Sequence, residues 1–167
     1  DGWLPVHLAL RHHAGGGAVA LQVVELTAEH HAPGFAHATT DGSWLPVHAA
    51  LRFQRDAALV SRVVELTAEH HAGGFARADG DGWLPVHLAL RHHAGGGAVA
   101  LQVVELTAEH HAPGFAHATT DGSWLPVHAA LRFQRDAALV SRVVELTAEH
   151  HAGGFARADG DGWLPVH

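Results

Sequence analysis

The chain opens with the stretch Asp1-Gly2-Trp3-Leu4-Pro5-Val6-His7, and this stretch decides the fold. It returns unchanged at residues 81–87 and 161–167, and it returns with one inserted serine at residues 41–48 and 121–128. Asp-Gly is a turn dipeptide, because glycine accepts a positive φ without steric cost. Proline presets φ for the first turn of a helix, where its missing N–H is not needed. Every copy therefore predicts a turn followed by the start of a helix.

The whole chain repeats at a fixed period. Residues 81–160 repeat residues 1–80 without a change, and each 80-residue block divides into two related units of 40 residues. Such a period is typical of solenoids and arrays, in which each unit contacts only its neighbours. We predict one continuous all-α repeat solenoid with the units 1–40, 41–80, 81–120 and 121–160, and with 161–167 as the start of a fifth unit. Because the chain begins and ends on the same heptapeptide without polar capping units, we expect it to be a window of a longer array.

The first unit predicts two helices. Apolar residues recur with a 3.6-residue period over residues 5–14 and again over residues 18–31. Gly15-Gly16-Gly17 separates the two segments, since three glycines inside a helix would cost about 1 kcal/mol each. Ala32-Pro33-Gly34 ends the second helix, and residues 35–40 are predicted to be extended or looped.

The second unit follows the same plan. Its helices are predicted over residues 46–54 and 57–71, with Asp56 as the N-cap of the longer one. Ala72-Gly73-Gly74 ends that helix. Two helices of these lengths cannot bury their apolar faces alone, so the units are expected to stack side by side.

Composition excludes several kinds of protein. The chain is 47% hydrophobic, yet it has no apolar run close to the length that crosses a bilayer. It has no cysteine, which excludes disulfides and thiolate metal sites. The formal net charge is −7, so there is no electrostatic reason to expect binding to nucleic acid. Protonation of all 19 histidines would change this charge to +12, and we expect any assembly to loosen below about pH 6.

The repeated motif resembles the ankyrin repeat. That family's pattern of Asp-Gly, then Pro-Leu-His-x-Ala, then Val-Val-x-Leu at a constant interval is matched here by Asp1, Gly2, Pro5, His7, Ala9, Val23, Val24 and Leu26, and by Asp41, Gly42, Pro46, His48, Ala50, Val63, Val64 and Leu66. The resemblance implies helix-loop-helix units with hairpin-like turn connections, stacked into a curved solenoid. It also implies a binding or scaffolding device without catalytic activity, in which His7 and His48 are structural and form hydrogen bonds in the interior.

This chain departs from the ankyrin pattern in two ways. Leu4 and Leu45 stand where the family has the threonine that caps the first helix, so that hydrogen bond must be lost or replaced by apolar packing. The unit is also about seven residues longer than usual, with most of the excess between Leu10 and Val23. The extra length is expected to change the curvature and twist per unit rather than the stacking.

The histidine pairs could supply metal ligands. His12-His13, His30-His31 and His70-His71, with His37 near, carry imidazoles that suit zinc. Adjacent residues on a helix point about 100° apart, so one pair cannot chelate one ion. Equivalent residues of neighbouring units are expected about 10 Å apart, which is too far for a shared ion. We therefore predict no metal and no cofactor, and a histidine-rich metal-binding array stays the third alternative for function.

The tryptophans form a candidate interaction stripe. One follows each Asp-Gly or Asp-Gly-Ser turn, namely Trp3, Trp44, Trp83, Trp124 and Trp163. These indoles either pack between successive turns or form an exposed apolar stripe, and exposed stripes mark interaction surfaces. Packing within the array is the favoured interpretation, with part of each ring still available.

Two functions remain besides the metal-binding array. No nucleophile motif or phosphate loop is present, which predicts a non-enzymatic protein. The favoured function is a structural array that forms a filament or stalk by end-to-end stacking, with itself as partner. The alternative is an ankyrin-type scaffold that binds a separate protein. Identical surfaces in every unit argue against an asymmetric partner but are compatible with a repetitive one.

Overall fold

A computed structural model describes residues 2–13, 17–93 and 97–165. Within these ranges the regular structure is helical and no residue lies in a strand. The α-helices are α1 (Pro5–His12), α2 (Gly17–His31), α3 (Pro46–Phe53), α4 (Ala57–His71), α5 (Pro85–His92), α6 (Gly97–His111), α7 (Pro126–Phe133) and α8 (Ala137–His151). A 3-10 turn follows each long helix, namely η1 (Ala32–Ala36), η2 (Ala72–Ala76), η3 (Ala112–Ala116) and η4 (Ala152–Ala156).

The helices stack in chain order into two layers. Each short helix packs beside the next short helix, and each long helix beside the next long one. Within a unit the short helix packs on the long helix, and the 3-10 turn that follows packs on the long helix of the next unit. An apolar cluster extends through the stack from Val6 to Leu146. The predicted all-α repeat solenoid is confirmed. None of the helices in the described ranges combines the length and apolarity needed to span a membrane.

The turns use two different residues at positive φ. In the copies without serine, the glycine of Asp-Gly has a positive φ, as at Gly82 (79°). In the copies with the inserted serine, Ser43 (52°) and Ser123 (51°) take the left-handed conformation instead. Glycine therefore supplies the left-handed conformation only in the turns without serine. The extra residue shifts the left-handed position by one along the chain.

The short helices end earlier than predicted. The helix expected over residues 5–14 ends at His12, and His13 has left the helical region with φ −103° and ψ 40°. Ala14, the last residue of that prediction, and Gly15 and Gly16 of the predicted break lie outside the described residues. The helix expected to reach Gln54 ends at Phe53, because Gln54 is extended and buried. Its side-chain amide donates to the carbonyl of Leu10, one of the carbonyls that a helix C-terminus leaves without an internal partner.

The segment after each long helix, which was predicted to be extended or looped, begins with a 3-10 turn. The α-helix does end at His31, but the chain continues as a tight 3-10 turn, in which Pro33 needs no N–H partner. Phe35 lies in this turn and is fully buried. Its ring is directed to the next unit, where the ring centroid lies 5.9 Å from that of His70.

The N-cap of α4 is the one predicted. A carboxylate oxygen of Asp56 accepts hydrogen bonds from the backbone N–H groups of Ala58 (3.0 Å) and Leu59 (3.2 Å). We expect Asp56→Ala to lower the free energy of unfolding by about 1 kcal/mol, measured by urea denaturation at neutral pH. Asp56→Asn should remain close to wild type, because asparagine caps equally well. An alanine variant as stable as the asparagine variant would contradict this role.

Candidate functional site

Four buried histidines join the short helices to the turns. His7, His48, His87 and His128 occupy the third position of their helices and have almost no exposed surface. In three of them Nδ1 accepts a hydrogen bond of 3.1–3.2 Å from the backbone N–H of the leucine three residues earlier. A nitrogen that accepts carries no proton, so the proton is on Nε2, which can donate. Nε2 of His7 lies 3.1 Å from the carbonyl oxygens of His37 and Trp44, and Nε2 of His48 lies 2.9 Å from that of Arg77.

These hydrogen bonds also replace the threonine cap that Leu4 cannot provide. Leu4 has no side-chain acceptor, and the N–H of His7 donates to the Leu4 carbonyl instead, at 3.0 Å. The His7 imidazole in return accepts from the Leu4 N–H. The capping hydrogen bond of the family is thus replaced by backbone and imidazole groups rather than by apolar packing alone.

Burial holds these imidazoles in the neutral form. It lowers the pKa of His48 to about 4, because the interior cannot solvate an imidazolium. Burial, together with the nearby His117, lowers the pKa of His87 to about 3. The pKa values of His7 and His128 are lowered by burial as well. The chain therefore contains a row of neutral, hydrogen-bonded histidines whose protonation opposes folding.

A row of arginines lies over the tryptophans. The guanidinium carbons of Arg11, Arg52, Arg91 and Arg132 lie 4.9, 4.9, 4.8 and 5.4 Å from the ring centroids of Trp3, Trp44, Trp83 and Trp124, and these eight residues are called the Trp–Arg ladder below. Distances below about 6 Å allow cation–π attraction. Nε1 of Trp3 donates to the Asp41 carboxylate at 2.8 Å, which joins Trp3 to the turn of the next unit.

The tryptophans do not form a uniform exposed stripe. Trp83 is buried, with only 3% of its surface exposed, and this overturns the stripe at that position. Trp3, Trp44 and Trp124 are partly buried, whereas Trp163 is 57% exposed. Trp3 follows the same Asp-Gly turn as Trp83, so the difference in their burial comes from residues outside that turn.

The other motif residues lie mostly in the core. Nine of them are buried, namely His7, Ala9, Val24, Pro46, His48, Ala50, Val63, Val64 and Leu66. Leu26 is exposed, although its equivalent Leu66 is buried. Asp1 lies outside the described residues. Asp41 is exposed and accepts from Trp3, and this bond lowers its pKa.

Ion pairs join neighbouring long helices, and they were not predicted from the sequence. Nε of Arg62 lies 2.7 Å from one carboxylate oxygen of Glu25, and its terminal nitrogen NH2 lies 3.0 Å from the other. Arg142 and Glu105 repeat this two-point pair. The hydrogen bond from Arg62 lowers the pKa of Glu25. No local pattern in the sequence connects residues 37 positions apart.

The histidine pairs do not converge on an ion site. In the described part of the chain, no group of three or more His, Asp or Glu side chains has the geometry to hold a metal. His37 forms a hydrogen bond to the carbonyl of Gly2 at 2.8 Å. His30 lies beside the neighbouring Glu29 at 3.7 Å, on the surface. Ser61 donates to Gln102 at 2.8 Å, which links two units rather than forming a nucleophile with a base.

The face that residues 1–40 would present to a preceding unit carries an open apolar groove of about 390 Å³. Its lining residues are Leu4, Pro5, Val6, Val23, Leu26, Thr27 and His31. The face of residues 121–160 that would meet a following unit exposes Leu131 and part of Phe155. These two faces, together with the Trp–Arg ladder, are the candidate interaction surfaces.

The sequence matches no family model, and none of the curated proteins matches it at a significant level. The relation to the ankyrin family therefore rests on the motif residues and stays a prediction.

Proposed function

We propose that this protein is a non-enzymatic structural array that forms a filament or stalk by end-to-end stacking of its units. One observation carries the proposal. Phe35, Phe75 and Phe115 are fully buried, and their rings lie against histidines of the unit that follows. Each of these units thus completes its core with side chains of the next unit.

The geometry of the stack supports end-to-end association that does not close into a ring. The same two faces meet at every junction between units, and these two faces are different surfaces. Contacts between two different surfaces are head-to-tail contacts, which produce filaments when they do not close into a ring. Because the two 80-residue blocks are identical, the array has no surface that is adapted to one asymmetric partner.

Self-association of the full 167-residue chain tests this proposal. At neutral pH we expect the sedimentation coefficient and the light scattering to increase with concentration, and electron microscopy to show elongated particles of constant width. A strictly monomeric particle of 17.6 kDa at every concentration would contradict the proposal.

The second candidate is a scaffold that binds a separate protein through the Trp–Arg ladder. It is favoured by the open pocket of about 340 Å³ that Trp3, Trp44, Arg11, Arg52, Phe53 and Asp41 line. Aromatic and arginine side chains are enriched where proteins bind one another. Because the ladder repeats, its partner would itself be repetitive. A monomeric chain whose binding to such a partner is lost in Trp44→Ala would favour this candidate.

A further inference from the structure

A small polar cavity lies at the centre of the chain, where three successive units meet. Its volume is about 180 Å³, and its lining includes Arg52, Arg91, Asp81, Asp121, His92 and Trp83. These residues belong to the units 41–80, 81–120 and 121–160, so the cavity is formed by interior units, whatever precedes or follows them. In a longer array the cavity would recur once in every 80 residues, because residues 81–160 repeat residues 1–80.

Opposite charges line this cavity without pairing. Within the described ranges, no ion pair joins the guanidinium of Arg52 or Arg91 to a carboxylate, although two aspartates line the same cavity. Opposite charges that share a small space attract one another, because the Coulomb energy grows as their distance falls. Their separation therefore has a structural cause.

The two arginines are held by tryptophans. The guanidinium carbon of Arg52 lies 4.9 Å from the ring centroid of Trp44, and that of Arg91 lies 4.8 Å from the ring centroid of Trp83. Stacking of this kind uses the flat face of the guanidinium and leaves the N–H groups at its edge available to a carboxylate. Both arginines are thus oriented before any ligand binds.

Asp81 is held by its backbone. Its N–H donates to Oδ1 of Asp79 at 3.0 Å, and its carbonyl oxygen accepts from the N–H of Thr120 at 3.2 Å. These two hydrogen bonds fix the turn that places the Asp81 side chain at the cavity. The cavity therefore presents guanidinium groups and carboxylate groups that are kept apart.

His92 adds a neutral polar group. Burial lowers the pKa of His92 to about 4, and the guanidiniums of Arg91 and Arg52 contribute in the same direction. The imidazole is therefore uncharged at neutral pH and can form a hydrogen bond without adding a charge. The contribution of the two arginines also indicates that their positive charge acts within the cavity.

We propose that this cavity binds a small zwitterion of the α-amino acid class, with the ligand carboxylate at the two arginines and the ligand ammonium group at the two aspartates. A ligand with one charge of each sign satisfies both sets of side chains, whereas an anion is repelled by the aspartates and a cation by the arginines. The cavity is smaller than the roughly 300 Å³ at which pockets for drug-sized ligands begin, so it favours glycine or alanine over larger amino acids. This binding site is separate from the end-to-end contacts and goes beyond the proposed function.

Glycine and its two halves test the charge requirement. Equilibrium dialysis of the full chain at neutral pH against labelled glycine, acetate or methylamine would measure each affinity. We expect saturable binding of glycine, with a dissociation constant at least about tenfold higher for acetate and for methylamine, because each of these lacks one charge-assisted contact. Acetate or methylamine that binds as tightly as glycine would overturn the zwitterion, and the lack of saturable glycine binding would overturn the site.

Single substitutions locate the ligand. Arg91→Gln should weaken the binding of glycine and of acetate by about tenfold or more, whereas Asp81→Asn should weaken glycine similarly and leave acetate at least as tightly bound as in the wild type. Arg77→Gln is the matched control, because it removes the same charge from an exposed arginine that does not line the cavity. All three side chains are exposed, so the variants should retain the helical circular dichroism of the wild type. Glycine affinity that is unchanged in Arg91→Gln, or that falls equally in Arg77→Gln, would overturn this assignment.

Discussion

Phe75→Ala is expected to lower the free energy of unfolding by about 3–5 kcal/mol, the range for removing a fully buried phenylalanine. Phe75 is at the centre of the chain, in the 3-10 turn η2, and it is fully buried against α6 of the next unit. The small residue that replaces it would leave a cavity between the two identical halves. In a repeat protein stability is roughly the sum of unit and interface contributions, so the loss is concentrated at one interface. Urea denaturation followed by circular dichroism would measure it, with a second transition expected if the halves uncouple.

Phe155→Ala is the matched control for this prediction. Phe155 has the same local sequence and the same 3-10 turn as Phe75, but it is only partly buried. Its replacement should cost less than about half as much, measured at a dilution where the chain is monomeric. Equal losses in the two variants would show that the local turn, and not the next unit, makes this phenylalanine important.

Acidification is expected to destabilise the chain by about 3 kcal/mol for each of His48 and His87 by pH 4. The ordinary histidine pKa is 6.5, and burial lowers it to about 4 in His48 and to about 3 in His87. Between these values and 6.5 the unfolded chain binds protons that the folded chain does not. The stabilisation is therefore fully present above pH 6.5 and is lost as the pH falls toward 4. At pH 5 the loss should be about 2 kcal/mol for each of the two side chains.

Chemical denaturation at pH 7.5, 5 and 4 would measure this effect. In His87→Gln, the difference in unfolding free energy between pH 7.5 and 5 should shrink by about 2 kcal/mol. Glutamine is a residue that suits this third helical position, because its side chain can accept from the backbone N–H at the start of the helix. His30→Gln, at an exposed position, should leave the difference unchanged. An equal pH dependence in all three proteins would contradict a role for the buried histidines. The same titration predicts that any assembly sediments more slowly at pH 5 than at pH 7.5.

Much of the fold could be predicted because its signals are local. Asp56 caps α4, and α4 extends from Ala57 to His71 as its period indicates. The 3-10 turn after each long helix was not predicted, because it depends on a contact with the next unit. The chain after His31 forms a 3-10 turn because Phe35 gains burial against the next unit, and this gain is not visible from residues 32–40 alone.

The candidate surfaces were harder to predict because they depend on distant partners. The pair of Arg62 and Glu25 joins residues 37 positions apart, and neither residue type nor spacing identifies it. The burial of Trp83 likewise depends on residues outside its own turn, since Trp3 follows the same turn and is only partly buried.

The sequence by itself determined the turns, the helices and their repetition, because these depend on residues within a few positions of one another. Only the tertiary structure decided which copies of a side chain are buried. Leu8 and Leu88 share the same flanking residues, yet one is exposed and the other is in the core. The difference is the unit stacked before Leu88, because burial is a property of the surface that covers a residue and not of its neighbours along the chain.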